Sequence, residues 1–144
     1  MDTPSTVRDA FQECSFGQPA SVELLASAEA KLGHGLPPVL RSCFLAFNGF
    51  KGPTDADFFY TVDHLVEMTL FFRSEDYFPK FLHGAVALGD DGTGPCWLIR
   101  LDQPDSIIEW DAEWGEDYEA LQGSLAEIWL ARKAIYDGIK ARSS

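Results

Sequence analysis

The segment Leu36–Phe50, LPPVLRSCFLAFNGF, carries a helix start, an apolar helix face and a helix stop within fifteen residues. Pro37 or Pro38 can occupy the first turn of a helix, where the missing N–H costs nothing. The apolar residues then recur at i, i+4 and i+7, a spacing that places them on one face directed at a core. These residues are Leu40, Phe44 and Phe47. Asn48-Gly49 supplies the left-handed residues with which a chain leaves a helix.

A second helix is predicted immediately upstream. Ser21 is a suitable N-cap, because its hydroxyl can accept a hydrogen bond from an unpaired N–H of the first turn. The following apolar stripe consists of Leu25, Ala28 and Leu32. Gly33 then ends the helix, so the region reads as a helix pair with a short glycine-containing break.

The middle of the chain predicts an antiparallel meander. Residues 84–88 and 97–101 read as strands, and the Asp-Gly pair within the connecting Gly89–Gly94 segment is a strong hairpin signal. A further turn leads to a third strand over residues 106–110. The period-2 pattern places Trp97, Ile99 and Leu101 on one face, and that largely apolar face requires helices over it.

The region between the helix pair and the meander is less determined. Residues 58–62 read as a short apolar strand. Residues 63–74 fit a helix with Leu65, Thr69 and Phe72 on one face, but residues 69–73 fit a strand equally well.

A helix over about residues 124–141 ends the chain. Ser124 and Glu127 form a capping box, and an apolar stripe follows. Its predicted members are Ile128, Ala131, Ile135 and Ile139. With helices at both ends and a meander between them, the predicted fold class is α+β. We expect a single domain over residues 1–144, with an antiparallel sheet packed against the N-terminal helix pair and the C-terminal helix.

The motifs of the helix pair and of the meander, in their order along the chain, resemble those of the SUKH superfamily, the Smi/Knr type of domain. The resemblance covers roughly residues 16–131, with residues 87–101 similar to the family's strand–turn–strand and residues 106–113 to its next strand. The helix-pair positions that match the family pattern are Glu29, Leu32, Gly33, Leu36, Pro37, Phe44, Phe47, Asn48 and Gly49. Phe50 stands where many relatives have another glycine, and residues 63–81 match no family motif. The resemblance implies the same α+β architecture.

The net charge and its distribution along the chain indicate which class of molecule the protein can bind. The net charge is −12, and residues 52–131 hold 17 acidic and three basic residues. This field repels nucleic acid and anionic membranes, which are bound through Lys and Arg, and it suits a basic protein partner. Acidity that serves only solubility stays an open alternative.

Cysteine usage and hydropathy indicate the compartment. The three cysteines lack the spacing of a disulfide framework or a zinc site. The chain shows neither a signal peptide nor an apolar run of about 18 residues, so we expect a cytoplasmic protein.

No motif predicts catalysis, a cofactor or a metal. His64 and Glu67 could place two ligands on one helical turn, but the pattern favours a solvated or capping histidine. The Gly89–Gly94 turn lacks the lysine and the following helix of a phosphate-binding loop. No nucleophile motif is present. We therefore expect no catalytic, cofactor-binding or metal-binding residues.

The acidic stretch 109–119 is the candidate binding region. In a strand, Glu109, Asp111 and Glu113 line one face, which is too self-repelling for a core and is predicted to lie on the surface. Trp110 then points into the core, whereas Trp114 is available as an aromatic anchor between acids. The predicted partner contacts are Asp90, Asp91, Glu109, Asp111, Glu113, Trp114, Glu116 and Asp117.

The resemblance to SUKH domains implies an immunity protein, which binds and neutralises a cognate toxin, often a nuclease with a basic cleft. Other members of the superfamily are similar to regulatory scaffold domains of cell-wall signalling, which gives the alternative function. A small carboxylate-dependent hydrolase is a further alternative, and it requires an enclosed pair of carboxylates, one of them with a raised pKa.

Overall fold

The computed structural model describes residues 3–143, with side chains as far as residue 139. Within this range the chain forms five helices, a four-stranded antiparallel sheet in the order β1-β2-β3-β4 and two 3₁₀ segments, Lys80–Gly84 and Ala112–Trp114. The helices are α1 (Thr3–Ala10), α2 (Val22–Leu32), α3 (Pro38–Ala46), α4 (Val62–Ser74) and α5 (Leu125–Ser143). The strands are β1 (Ala85–Asp90), β2 (Cys96–Arg100), β3 (Gln103–Trp110) and β4 (Glu119–Ala120). The predicted α+β fold is confirmed.

The N-terminal helix pair forms as its local signals predict. The Ser21 hydroxyl accepts from the Leu24 N–H at 3.0 Å, and Gly33 ends α2 with φ of 82°. Pro38 is the first residue of α3, and the apolar stripes of both helices are buried.

The exit from α3 differs in detail from the prediction. Phe47 is extended, and of the Asn48-Gly49 pair only Gly49 is left-handed, with φ of 84°. The Asn48 side chain instead accepts from the Val62 N–H at 2.8 Å, at the start of α4. Asn48 therefore joins two helices rather than ending one.

Residues 63–74 are helical, which decides between the two alternatives. Leu65, Thr69 and Phe72 share the buried face of α4, and the Thr69 hydroxyl accepts from the Ala87 N–H of β1 at 3.1 Å. The predicted strand over residues 58–62 is wrong except for a single bridge between Phe50 and Phe59. Thr61 caps α4, so this capping signal overrides the local β-propensity.

Both faces of the sheet centre are covered. Trp97, Leu98 and Ile99 are consecutive and all buried, although successive side chains of a strand point to opposite faces. Phe58 contacts Trp97 with ring centroids 5.2 Å apart, and Trp129 of α5 donates from Nε1 to the Phe58 carbonyl at 3.0 Å. A residue that points away from one apolar face therefore still lies inside the protein.

The capping box of α5 is confirmed, but the predicted apolar stripe is wrong. Ser124 and Glu127 exchange hydrogen bonds of 3.1 and 3.2 Å. Ile128 is buried, whereas Ala131, Ile135 and Ile139 are exposed. The helix is rotated so that its inner side begins with Leu125 and Trp129 and continues with partly buried polar side chains. These are Arg132 and Tyr136, which lie three and seven residues after Trp129.

Candidate functional site

The acidic residues proposed as partner contacts separate into two environments. Asp91 and Glu109 are buried, with 4% and 9% of their surface exposed. Glu113, Glu116 and Asp117 are exposed, and Asp90 and Asp111 are half-buried. The prediction that Glu109 lies on the surface is therefore wrong, and Asp91 is equally removed from solvent.

One guanidinium from α5 holds both buried carboxylates. Arg132 forms ion pairs with Asp91 and, at 2.9 Å, with Glu109. Trp97 donates from Nε1 to the same Glu109 carboxylate at 3.0 Å, and the guanidinium carbon lies 5.5 Å from the centroid of the Trp97 ring. Asp91 also accepts from the Thr93 N–H at 3.1 Å and from its hydroxyl. We call these five residues the Arg132 cluster.

The ionisation of the Arg132 cluster follows from these contacts. Burial raises the pKa of Asp91, but hydrogen bonds from Thr93 and Arg132 outweigh it and hold that pKa below its usual value. Burial lowers the pKa of Arg132, and its bonds and charge contacts with Asp91 and Glu109 outweigh that effect, so the pKa is raised. Asp91 is therefore held as a carboxylate, which suits a structural ion pair.

The β1–β2 turn is held from two sides. The Tyr60 hydroxyl donates to Asp90 at 2.8 Å, and Asp90 also accepts from the Gly92 N–H at 2.8 Å. Tyr136 of α5 donates to the Asp91 carbonyl at 3.0 Å. Across the turn, a Cβ placed on Gly94 would lie 2.9 Å from Asp111 Oδ2, so the turn adjoins the start of the segment after β3.

The segment after β3 carries the exposed acids. Asp111 accepts from the Glu113 N–H at 2.9 Å and so begins the 3₁₀ turn. Trp110 is buried as predicted, and its Nε1 donates to the Gly115 carbonyl at 2.8 Å, which fixes the turn against the core. Trp114 keeps 36% of its surface exposed. We call residues 113–119 the acidic segment; it presents four carboxylates, of Glu113, Glu116, Asp117 and Glu119.

A comparison with models of known protein families shows to which family this chain is related. The model of the SMI1/KNR4 family (SUKH-1) matches residues 19–131. The chain belongs to that family. Membership in SUKH-1 is consistent with an immunity-type or interaction module, and the family is generally non-catalytic and protein-interacting. A search of curated proteins found no match.

The matched SUKH-1 positions in the helix pair have structural partners. Glu29 accepts from the Leu36 N–H at 2.7 Å and pairs with Arg41 at 3.4 Å, so it closes the break between α2 and α3. A Cβ on Gly49 would lie 2.9 Å from the Phe59 carbonyl oxygen, which explains glycine at that position. These signature residues support the fold, and the acidic segment lies elsewhere in this SUKH-1 domain.

Two of the three histidines of this SUKH-1 domain make local contacts. His34 hydrogen-bonds to Arg73 through Nε2 at 2.8 Å, and the His64 ring stacks on Tyr60 with centroids 4.3 Å apart. Residues 3–143 contain no group of three potential metal ligands. In the same residues no helix has both the length and the apolar content that crossing a membrane requires.

The sequence patterns did not predict three exposed aromatic residues in and near the acidic segment. Phe71, Tyr77 and Tyr118 are exposed, and the first two belong to the stretch that matched no family motif. One signal was present: Phe71 and Phe72 are adjacent on α4, so they cannot both face the same core. Phe72 is the buried one.

Proposed function

We propose that this SUKH-1 domain is an immunity-type binding module that neutralises a basic toxin domain of the nuclease class. The observation that carries the proposal is the acidic segment, whose four carboxylates are exposed around the half-exposed Trp114. Membership in the family adds support, because it is consistent with an immunity-type module.

The physical basis is electrostatic complementarity. A nuclease presents cationic groups to hold phosphates, so an acidic surface accelerates encounter and can occupy the same groups. Steered association reaches about 10⁸ to 10⁹ M⁻¹s⁻¹ at low salt, and an inhibitor of a toxin benefits directly from such speed. Occlusion of a cleft requires surface complementarity and no chemistry from the inhibitor.

The proposed contacts follow the exposed part of the predicted set. Glu113, Trp114, Glu116 and Asp117 form its centre. Asp90 and Asp111 are half-buried residues of the adjoining β1–β2 turn and of the start of the 3₁₀ turn. Asp91 and Glu109 are not among the proposed contacts, because both are buried and paired with Arg132.

The hydrolase alternative fits the geometry poorly. Glycoside hydrolysis requires a carboxyl group with a raised pKa to act as a general acid. In the part of the chain that the structure describes, the buried carboxylates are those of Asp91 and Glu109, and both are bound to one guanidinium. The pKa of Asp91 is lowered rather than raised.

The test is co-expression with any toxin domain that is encoded in a gene adjacent to this one. We expect rescue of growth and co-purification of the two proteins, because a tight complex occludes the toxin. A toxin domain of the same class from an unrelated gene pair is the control, and it should be neither neutralised nor retained. Failure with every adjacent toxin domain would contradict the proposal and favour the regulatory scaffold function.

A further inference from the structure

A band of aromatic side chains joins the end of α4 to β4 across the protein surface. Tyr77 is 74% exposed, Phe71 46% and Tyr118 37%. Phe78 and Phe81 lie between them and are half-buried. We call these five residues the aromatic surface.

Ring contacts join the members of the aromatic surface into two groups, which the buried Trp110 ring links from beneath. Phe78 contacts Phe71 and Tyr77, with centroids 5.3 and 4.6 Å apart, and Phe81 contacts Tyr118 at 4.8 Å. The two halves meet on the buried ring of Trp110, which lies 6.0 Å from Phe78 and 6.2 Å from Phe81. Singly exposed apolar residues need no explanation, whereas clusters of exposed apolar residues are typical of interaction sites.

Ring contacts and hydrogen bonds hold Trp110, beneath the aromatic surface, and Tyr118 in place. Trp110 is 1% exposed, packs edge-on against Phe72 at 5.4 Å and donates its Nε1–H to the Gly115 carbonyl. Arg100 donates to the Tyr118 hydroxyl at 2.8 Å and is itself paired with Asp102. Little ordering of side chains is therefore required on binding, which favours affinity.

Most of the charged residues around the aromatic surface are acidic. Glu75 and Asp76 precede Tyr77 directly, and the acidic segment contains Tyr118. Lys80 and His83 also lie here, and with Asp76 and Phe78 they line a depression of about 350 Å³. A second depression of about 300 Å³ is lined by Trp114, Asp117, Tyr118 and Glu119. Carboxylates outnumber the basic groups among these residues, so the rim is acidic.

We propose that the aromatic surface is the docking site of a cationic protein partner, whose Arg and Lys side chains stack on the exposed rings while the rim carboxylates pair with their charges. The inference rests on the proposed function and locates its interface on residues 71–81 as well as on the acidic segment. Ring faces of Tyr and Phe attract guanidinium and ammonium groups, and such aromatics are typical binding hot spots.

The negative charge around the aromatic surface favours a cationic protein over a second copy of this chain, a nucleic acid or a lipid surface. A second copy of this chain would bring one acidic rim against another, which disfavours a symmetric dimer through this face. Single-stranded nucleic acid also stacks on aromatic residues, but it needs a positively charged groove for its backbone. The acidic rim also repels anionic lipid, because both carry negative charge.

The experiment measures the dissociation constant for a catalytically inactive form of the toxin domain encoded beside this gene. The variants are Tyr77→Ala and Phe71→Ala, which remove exposed rings, and the matched controls are Ile135→Ala and Leu45→Ala, which truncate exposed apolar residues outside the aromatic surface. We expect the dissociation constant to rise about tenfold or more for each ring variant and to change little for the controls. Hydrogen exchange of the native complex should show protection over residues 71–81 and 113–119.

The outcomes separate this inference from the proposed function. Tight binding with unchanged affinity of both ring variants, or with protection confined elsewhere, overturns the docking site while the proposed function stands. Absence of binding by the native protein overturns both. A concentration-dependent dimer that Tyr77→Ala abolishes overturns the inference in favour of self-association, and equal weakening by the control variants shows that the aromatic residues have no special role.

Discussion

Glu109 and Glu113 are four residues apart, yet they belong to two acidic regions with opposite environments. Glu109 lies within the Arg132 cluster, where a cation from the last helix and an indole N–H compensate its charge. Glu113 lies in the acidic segment and faces solvent. In the net charge of the sequence, each of the two residues counts as one negative charge. The difference between them is that the charge of Glu109 is compensated inside the protein, whereas that of Glu113 is exposed to solvent.

The two regions also differ in what they contribute to stability. Burial of a carboxylate costs several kcal/mol unless a cation and hydrogen bonds compensate it. Exposed acids lose no hydration on folding, and their mutual repulsion is weakened by solvent and salt. The Arg132 cluster therefore holds α5 against the sheet and the β1–β2 turn, whereas we expect the exposed carboxylates of the acidic segment to be replaceable without loss of the fold.

Removal of the shared cation should have the largest effect. Arg132→Met leaves Asp91 and Glu109 buried without their counter-charge, so we expect the free energy of unfolding to fall by about 3 kcal/mol. Urea denaturation followed by far-ultraviolet circular dichroism measures it. Arg41→Met is the control, because it removes a partly exposed pair with Glu29 that is worth about 1 kcal/mol at most. Equal losses in both variants would contradict a special role of the Arg132 cluster.

Acid should remove the contribution of Asp91 to stability. The pKa of Asp91 is lower in the folded state, so its contribution to stability is present above the ordinary pKa of 3.8 and is lost as pH falls through the folded-state value. We expect the stability of Asp91→Asn to depend less on pH below about 4 than that of the native protein. Denaturant midpoints measured from pH 6 downwards check this.

Glu116→Gln is the control for that titration, since the exposed Glu116 belongs to the acidic segment. Its stability should fall with acid as the native protein's does. A flattened profile for Glu116→Gln and an unchanged profile for Asp91→Asn would reverse the comparison.

Neutralisation of the acidic segment should have the smallest effect on stability. Glu116→Gln combined with Asp117→Asn removes two exposed charges, and we expect a change within about 0.5 kcal/mol. Thermal unfolding followed by circular dichroism measures it. A loss as large as that of Arg132→Met would show that the acidic segment is part of the folded core.

The features that the sequence predicts well are those with local causes. The caps at Ser21 and Ser124, the left-handed Gly33 and the buried stripe of α3 each depend on residues within a few positions of one another. The Asp91-Gly92 hairpin is of the same kind and also forms.

The features that escaped prediction depend on contacts between distant parts of the chain. Glu109 is buried because Arg132, 23 residues later, reaches it, and alternation along β3 carries no information about a helix on that face. The apolar stripe of α5 failed for the same reason, since Trp129 and Arg132 rather than Ile135 face the protein. The aromatic surface forms only when Phe81 meets Tyr118, and no local pattern links those positions.

The central claim is that the acidic segment, and not the Arg132 cluster, contacts the partner. The most direct test is the association rate constant with the inactive toxin domain as a function of ionic strength. Glu113→Lys combined with Asp117→Lys should slow association and flatten its salt dependence, because electrostatic steering is lost. Asp9→Lys combined with Asp105→Lys makes the same change of charge on α1 and at the start of β3, and it should have a clearly smaller effect. An unchanged rate and salt dependence in the first variant, or equal changes in both, would contradict the account.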